Sequence, residues 1–345
     1  MPTIHEVTAH LETIAPSSYQ ESYDNAGLIT GHPGWEAKGA ILSLDATEDV
    51  VAEAIQLGAN MVIAHHPIVF RGLKKINGKN YVERAVISAI KHDIAIYAIH
   101  TNLDNVYHQG VNTKIAQVLG LENTRILAPK KLMKKMRAYV PTAGMGNLLT
   151  ELPKAGATNV NYSSENQVMI DQDEYFRESK KLEISFPSGR QGTITHLIKK
   201  YAPEAYIEVQ EMEGRSSQVG SGMIGELPEA MPELDFLTNL KTTMKTGCVR
   251  HTRLLDKPVR KIAVCGGAGS FLLPHALRQK ADVFVTADYK YHEFFDADGQ
   301  IIIADIGHFE SEQFTVELLG EIISKKFPTF ALHFSKMTTN PVYYL

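Results

Sequence analysis

The same order of elements occurs twice in this sequence, once near each end, and this repetition limits the folds that the chain can adopt. An apolar strand, a helix and a second apolar strand are predicted over residues 40–65, and the same order returns over residues 261–286. Each segment is followed by a further apolar strand that ends in polar residues. Strands that alternate with helices build a mainly parallel sheet. We therefore predict a pseudo-duplicated α/β domain formed by residues 1–127 and 245–345.

The middle of the chain predicts an inserted domain. Two strand–helix–strand units follow each other here, which is typical of a ferredoxin-like arrangement of about 85 residues. The insert is placed at residues 128–215, with a basic linker at 130–137 and a long polar loop at 163–179. A glycine- and serine-rich return linker at 214–225 then leads to a helix, so that linker and helix together occupy 216–244.

Composition and charge exclude several classes of protein. Hydrophobic residues make up 44% and charged residues 21% of the 345 residues, which are values of a globular protein. The net charge of −4 and the isoelectric point near 6.4 disfavour a nucleic-acid binder. The two cysteines lack the spacing of a zinc ribbon or a disulfide framework. With no signal peptide and no apolar run of about 18 residues, we expect a cytoplasmic protein without a membrane span.

Two adjacent histidines, His65 and His66, stand where an apolar strand should end. They follow Met61–Ile63, and Pro67 cannot continue a strand. Open α/β sheets place ligands at the carboxyl ends of their strands. Neighbouring residues on a strand point in opposite directions, so this pair suits two metal ions better than one. The alternative is one histidine in the core and one at the surface.

Further candidate ligands follow two other predicted strands. Asp104 comes shortly after the strand at 94–99, and His308 and Glu312 share one face of a helix start after the strand at 301–305. Imidazole and carboxylate ligands suit zinc, manganese, iron, cobalt or nickel better than calcium. Two divalent ions would keep part of their charge in this set, which would hold a hydroxide and attract an anionic small molecule. Hydrolysis is therefore the predicted reaction class.

Two stretches leave their interpretation open. The basic loop that contains Arg71 and Lys74 is either a solvated surface or a rim that steers an anionic substrate. The glycine-rich stretch 266–270 lacks the lysine of a phosphate-binding P-loop. It favours a tight strand-to-helix turn over a phosphate contact.

Four motifs of this sequence together resemble the signature motifs of the NIF3-like family. They are Tyr-Asp-Asn-Ala-Gly-Leu at 23–28, Ala-His-His-Pro at 64–67, His-Thr-Asn-Leu-Asp at 100–104 and Gly-His-Phe-Glu-Ser-Glu at 307–312. Bacterial members of this family are often labelled GTP cyclohydrolase 1 type 2 homologues. The resemblance covers nearly the whole chain, including the insert, which in longer members is similar to PII/CutA-type domains.

The resemblance implies a dinuclear metal centre and a toroidal homohexamer whose sites face an internal cavity. Carried over by position, His66 and Asp104 would bind one metal ion. His65 and His308 would bind the other, and Glu312 would bridge the two.

The resemblance also implies a possible reaction. In GTP ring opening, a metal-activated hydroxide would attack C8 of the purine and water would later release formate. Arg71 and Lys74 would then meet the phosphates, and His292, in a stretch that resembles a further family motif, would act as acid or base. The alternative is a non-catalytic metal-binding or regulatory protein whose insert senses a ligand or docks a partner.

Overall fold

The structure, a computed structural model, divides into two compact units. It describes residues 1–165, 168–169, 175–176 and 179–345. The first unit joins the two ends of the chain, residues 1–129 and 217–345, and the second unit comprises residues 130–216.

The elements follow one another in the alternating order that the apolar runs predict. Up to the second unit they are α1 Ile4–Ile14, β1 Gly27–Thr30, β2 Ala40–Asp45, α2 Glu48–Gln56, β3 Met61–His66, α3 Tyr81–Lys91, β4 Ala95–Ala98, α4 Thr101–Asp104, α5 Val111–Val118 and β5 Glu122–Lys131. Then come β6 Met133–Pro141, α6 Met145–Lys154, β7 Asn159–Glu165, β8 Val168–Met169, β9 Tyr175–Phe176, β10 Ser179–Pro187, α7 Gln191–Tyr201 and β11 Tyr206–Glu211. The rest are β12 Arg215–Met231, α8 Glu233–Thr243, β13 Arg250–His251, β14 Val259–Ala268, α9 Leu273–Arg278, β15 Val283–Ala287, β16 Ile302–Asp305, α10 His308–Glu312, α11 Thr315–Lys326 and β17 Leu332–Phe334.

The first unit contains two sheets that repeat one plan. In one sheet, with the order β1-β4-β3-β2-β17, the strands β2, β3 and β4 run parallel and β1 is an antiparallel edge beside β4. In the other, with the order β13-β16-β15-β14-β12-β5, the strands β14, β15 and β16 run parallel and β13 is an antiparallel edge beside β16. A short helix, α4 or α10, follows the third parallel strand in each. The predicted pseudo-duplicated α/β fold is confirmed.

A single hydrophobic cluster includes residues of both sheets. Ile63 and Ile99 contribute from one sheet, and Val264 and Val285 contribute from the other, all with at most 2% of their surface exposed. Because the core is shared, the strand ends of the two sheets keep a fixed relation to each other.

The predicted return linker at 214–225 is wrong, because this segment belongs to the long strand β12. Its glycines lie where a side chain would not fit. A Cβ on Gly222 would lie 2.8 Å from the Leu272 side chain, and one on Gly225 would lie 2.9 Å from the carbonyl oxygen of Glu122. Glycine therefore allows β12 to pack closely against its neighbours instead of marking a flexible connection.

The second unit has the order of elements β6-α6-β7-β10-α7-β11, with an antiparallel sheet in the strand order β11-β6-β10-β7. Its helices and sheet enclose a separate core that includes Leu148, Ile184 and Ile198. Two strand–helix–strand halves are thus present in this unit. The resemblance of this unit to PII/CutA-type domains stays a prediction.

The basic linker predicted at 130–137 is mostly strand. Strand β6 begins at Met133, and its residues Met136, Ala138 and Val140 are fully buried on alternate positions. Lysines on the other face pair across the sheet, as Lys135 does with Glu183 at 3.0 Å. This period of two is the signal of a half-buried strand. The long loop predicted at 163–179 is wrong where the structure describes it, because those residues belong to the strands β7, β8, β9 and β10. The rest of the predicted loop lies outside the described residues.

None of the helices in the described residues has both the length and the apolar character that crossing a membrane requires.

Candidate metal centre

The last two residues of β3 place two imidazole rings at the carboxyl end of the first sheet. Pro67 ends the strand, as predicted. The His65 ring is completely buried, and its Nδ1 donates to the carbonyl oxygen of Ile99 at 2.8 Å. His66 Nδ1 pairs with Asp45 Oδ1 at the same distance. Each histidine therefore uses Nδ1 for orientation and directs Nε2 inward, which is the arrangement that metal-binding histidines adopt.

Two short helices bring the other predicted residues to the same place. Asp104 is the last residue of α4, and His308 and Glu312 begin and end α10. Gly267 leaves room for α10, because a Cβ there would lie 2.6 Å from Glu312 Oε1. All five residues predicted as metal ligands, including His65 and His66, thus meet in one cluster.

The Glu312 carboxylate lies at the centre of this cluster. Its Oε2 is 2.9 Å from His66 Nε2 and 3.2 Å from His308 Nε2. Its other oxygen, Oε1, is 3.8 Å from His65 Nε2. The side chain of Glu312 is 3% exposed, so both oxygens face protein groups in place of water.

Two buried atoms of the cluster have no hydrogen-bond partner within the described part of the chain. They are His65 Nε2 and Asp104 Oδ1, which lie 3.5 Å apart. A buried polar atom without a partner is destabilising, and native structures avoid it unless an ion or a water satisfies it. A nitrogen and an oxygen that face the same point fit a divalent metal ion of the first transition series.

The carboxylates hold protons on two of the imidazoles. Burial alone would lower the pKa of His66, but hydrogen bonds to Asp45 and Glu312 and their charges raise it to about 9. The pKa of His308 is raised to about 11 against burial, by the charge of Glu312 and by the hydrogen bond to Asp288. The protonated rings of His66 and His308 therefore supply positive charge where a bound metal ion would otherwise supply it.

The two carboxyls of the cluster titrate in opposite directions. Burial and then the charge of Glu312 raise the pKa of Asp104 to about 7. Burial would also raise the pKa of Glu312, but His308 and His65 hold it well below its usual range. The negative charge of Glu312 is thus balanced by histidines, whereas that of Asp104 is not. Asp104 is therefore the carboxyl group that a bound cation would stabilise most.

The structure adds His100, which was not predicted to be a ligand. Its ring lies 5.3 Å from the His65 ring and 5.4 Å from the His66 ring, and it forms with them a group whose ligand atoms lie within 4.8 Å of one another. Its Nδ1 pairs with Asp24 Oδ1 at 2.8 Å. The missed signal is the duplication itself, since His100 and Asp104 have the same spacing as His308 and Glu312 and occupy the same place after the third parallel strand.

The grouping of the ligands differs from the pairing that the family resemblance implies. His65 groups with Asp104 and Glu312, and His66 groups with His308 and Glu312. The reason lies in the strand end. His65 turns toward Ile99 and α4, on its own sheet, whereas His66 reaches the helix of the other sheet.

Three other predicted residues lie outside this cluster. His292 is exposed and contacts the ring of Tyr291 edge-on. Arg71 and Lys74 are exposed in the loop after Phe70. None of the three is among the described residues that line the cavity next to the cluster, and their roles in acid–base chemistry and phosphate binding stay predictions.

Most of the glycine-rich stretch belongs to β14, which extends to Ala268 and has an irregular register with β15 between Val264 and Ala268. Only Gly269 separates the strand from a 3-10 helix at Ser270–Leu272. The amide of Gly266 donates to Asn112 Oδ1, and that of Gly267 donates to Ser311 Oγ. Both amides are used inside the protein, which disfavours a phosphate-binding loop.

Replacing Asp45 with asparagine should weaken metal binding about 10- to 100-fold, because the carboxylate that orients His66 loses its charge. Asp45 also accepts a hydrogen bond from Thr339, and asparagine can still accept this bond, so the local fold should be retained. Titration of the metal-free protein with zinc, followed by calorimetry, measures the change. Asp49→Asn, on the exposed side of α2, is the matched control. Equal affinities of the two variants would contradict the orienting role of Asp45.

Comparison with known proteins places this geometry in a family. A family model described as Duf34/NIF3 (NGG1p interacting factor 3) matches residues 2–341. A Staphylococcus aureus (strain MSSA476) protein named GTP cyclohydrolase 1 type 2 homolog is 32% identical and aligns with 99% of this chain and 100% of its own. A protein of the same name from Halalkalibacterium halodurans is 34% identical over 86% of each chain.

Solved structures agree with the sequence comparison. A Bacillus cereus protein related to NIF3 is 33% identical, with a TM-score of 0.71 and coverage of 100% of this chain and 99% of that one. Staphylococcus aureus protein SA1388 is 29% identical, with a TM-score of 0.75 and the same coverage. By the family model, which spans nearly every residue, and by these relatives, the chain belongs to the Duf34/NIF3 family.

Proposed function

We propose that this protein is a hydrolase whose reaction centre is a pair of divalent metal ions. The observation that carries the proposal is the pair of unpartnered buried atoms, His65 Nε2 and Asp104 Oδ1, beside a carboxylate whose two oxygens face different sets of ligands. His65 and Asp104 would hold one ion, His66 and His308 the other, and Glu312 would bridge them. Zinc, manganese, iron, cobalt and nickel all suit these ligands.

The protein residues around the ligands have defined tasks in this proposal. Asp45 and Asp288 fix the rings of His66 and His308 through Nδ1, so that both Nε2 atoms face Glu312. His100 is held by Asp24 in the same way and would offer a further nitrogen to the centre. Bound metal ions would lower the pKa of a water molecule and polarise the group that is attacked.

The shape of the site supports catalysis over storage. A cavity of about 380 Å³ borders His66, His100, Asp104, His308 and Glu312, so that a small molecule can reach the ligands. Five or six protein ligands shared by two ions would leave coordination positions open on the cavity side.

The first substrate to test is GTP, because curated relatives carry the name GTP cyclohydrolase 1 type 2 homolog. Metal-loaded protein is incubated with GTP, and formate release is measured together with loss of the proton on C8. We expect release that depends on added metal and falls at least about 100-fold in His66→Ala, while His5→Ala, on the exposed face of α1, retains it.

Two other outcomes would distinguish the cyclohydrolase activity from hydrolase function in general. Turnover of another phosphorylated or nucleotide-like substrate, but not of GTP, would keep the hydrolase and remove the cyclohydrolase activity. Absence of any metal-dependent turnover in a broad screen of esters, amides and nucleotides would contradict the hydrolase.

A regulatory function is the second candidate, and the separate core of residues 130–216 favours it. In that case the second unit senses a ligand or docks a partner, and metal binding is structural. We also propose that the chain assembles as a toroidal homohexamer and that its substrate is an anionic small molecule.

A further inference from the structure

Three exposed aromatic side chains line the cavity beside the candidate metal centre. Tyr23 is 64% exposed, Phe70 is 49% exposed and Phe271 is 62% exposed. Large aromatic side chains usually bury most of their surface, and those that stay exposed around a cavity often contact a ligand. Nothing in the hydrolase proposal uses them.

Tyr23 and Phe70 form one continuous aromatic wall. Their rings are stacked, with centroids 6.5 Å apart and an angle of 29° between the planes. The edge of this wall reaches the candidate centre, because the Phe70 ring packs against His100 at 5.8 Å. The two loops are tied together beside the wall by Asn25, whose side chain donates to the carbonyl oxygen of Val69 at 2.6 Å. This hydrogen bond supports the two loops that carry the wall.

Phe271 joins the same cavity from the other half of the chain. It lies in the 3-10 helix that follows β14 and Gly269. Its neighbour Leu272 is 1% exposed and belongs to a cluster of buried residues that includes Ala263 and Phe284, so that Phe271 is held outward. Both halves of the duplicated fold thus supply aromatic surface to one cavity.

Away from the candidate centre, the described lining of this cavity offers little to a phosphate chain. Among the described residues that line it there is no lysine or arginine. The amides of Gly266 and Gly267, near the end of β14, donate within the protein. The uncharged side chains of Asn105, Asn112 and Ser221 also line the cavity, and they too form hydrogen bonds within the protein. The surface that remains for a ligand is mainly aromatic, which suits a flat ring.

We propose that this cavity binds a planar heteroaromatic ring against Tyr23, Phe70 and Phe271, and that ring recognition contributes most of the affinity. The proposal deepens the hydrolase function and rests on it for the reaction, because a ring held here has its edge next to His100 and the candidate metal ligands. Stacking of a base on an aromatic side chain is worth about 1–3 kcal/mol, whatever the base.

Binding of uncharged ligands to the metal-loaded, full-length protein tests this proposal. Calorimetry is carried out with the four common ribonucleosides, which have a ring and no phosphate, and with ribose 5-phosphate, which has a phosphate and no ring. We expect at least one nucleoside to bind more tightly than ribose 5-phosphate. Phe271→Ala and Tyr23→Ala should each weaken that nucleoside about 5- to 150-fold, with metal content unchanged.

Two control variants test whether the effect depends on the aromatic rings that line the cavity. Phe271→Trp should retain binding, since the larger ring still stacks. Tyr81→Ala removes an aromatic ring that is 62% exposed but does not border the cavity, and it should have no effect. Thermal unfolding and metal content of each variant exclude loss of the fold.

The outcomes distinguish this proposal from the hydrolase proposal. If nucleosides bind and the wall variants weaken them while no substrate is turned over, ring recognition stands and the hydrolase fails. If no nucleoside binds, if ribose 5-phosphate binds more tightly, or if the wall variants bind as well as the wild type, ring recognition is overturned whether or not the protein hydrolyses a substrate.

Discussion

Replacing Glu312 with alanine is expected to reduce bound metal from about two ions per chain to fewer than one. Glu312 contacts ligands of both groups, since Oε2 lies near His66 and His308 and Oε1 lies near His65. Its loss would remove one ligand from each ion and the negative charge between them. Loss of a residue that only orients a ligand costs about 10- to 100-fold in affinity, so a shared ligand should cost more.

Mass spectrometry of metal content measures this effect on protein purified without chelator. Glu312→Gln keeps the shape and one acceptor oxygen but loses the charge, and it should bind an intermediate amount. Glu317→Ala, an exposed carboxylate on the next helix, is the control and should retain the wild-type content. A Glu312→Ala variant that is folded and still holds about two ions would contradict the bridging position of Glu312.

The second large effect concerns how the stability of the metal-free protein depends on pH. In that state the pKa of His66 is about 9 and that of His308 about 11, both above the ordinary 6.5. A histidine with a raised pKa stabilises the fold fully below pH 6.5, and this contribution is lost as pH rises through the raised value. The pKa of Asp104 is also raised, to about 7, so its ionisation also destabilises the fold as pH rises.

His66 and His308 therefore predict that the metal-free protein loses stability as pH rises from about 6.5 to about 9 and beyond, and Asp104 adds a loss that is complete near pH 7. For His66, which is 19% exposed, the difference between 6.5 and about 9 corresponds to at most about 3 kcal/mol. In a unit of this size, a loss of that order lowers the unfolding midpoint by about 5–10 °C. Metal ions compete with these protons and bind more tightly as pH rises. The metal-loaded protein should therefore keep its midpoint, and the gap between the two forms should widen.

Differential scanning calorimetry at pH 6, 7.5 and 9, with and without bound metal, measures this gap. Glu312→Gln removes a charge that raises the pKa of both histidines, so its metal-free form should depend less on pH. A metal-free wild-type protein that becomes more stable as pH rises would contradict the account of the cluster's charges.

The sequence was sufficient to predict the parts of the site that follow apolar strands. His65 and His66 lie at the end of β3, and His308 and Glu312 follow β16, as the runs of buried residues indicate. Parallel strands bring their carboxyl ends to one edge, so residues far apart in sequence could be assigned to one cluster. Asp104 was found by the same reasoning.

The orienting carboxylates could not be predicted in the same way. Asp45, Asp288 and Asp24 each pair with a histidine of the cluster, but they are 21, 20 and 76 residues away from their partners. No periodicity connects them, because the pairing arises from the packing of separate strands and loops. Which ligands would share an ion depends on how each ring is turned at the strand end, and the sequence does not show this.

Glycine was misinterpreted in two segments. In β12 it permits close packing, and the sequence suggested a linker because glycine is also common in flexible chains. Gly267, which was predicted to lie in a turn, has a positive φ of 62° but belongs to β14, where the register with β15 is irregular. Local composition alone does not separate these uses, because the difference lies in what packs against the glycine.

Anomalous diffraction from crystals of the metal-loaded protein would show whether two metal ions lie at this cluster. Data are collected above and below the absorption edge of zinc, manganese or iron, according to the metal found by mass spectrometry. We expect two peaks about 3.5–4 Å apart, one next to His65 and Asp104 and one next to His66 and His308, with Glu312 between them. No peak at this cluster, or a single peak at full occupancy, would contradict a dinuclear centre.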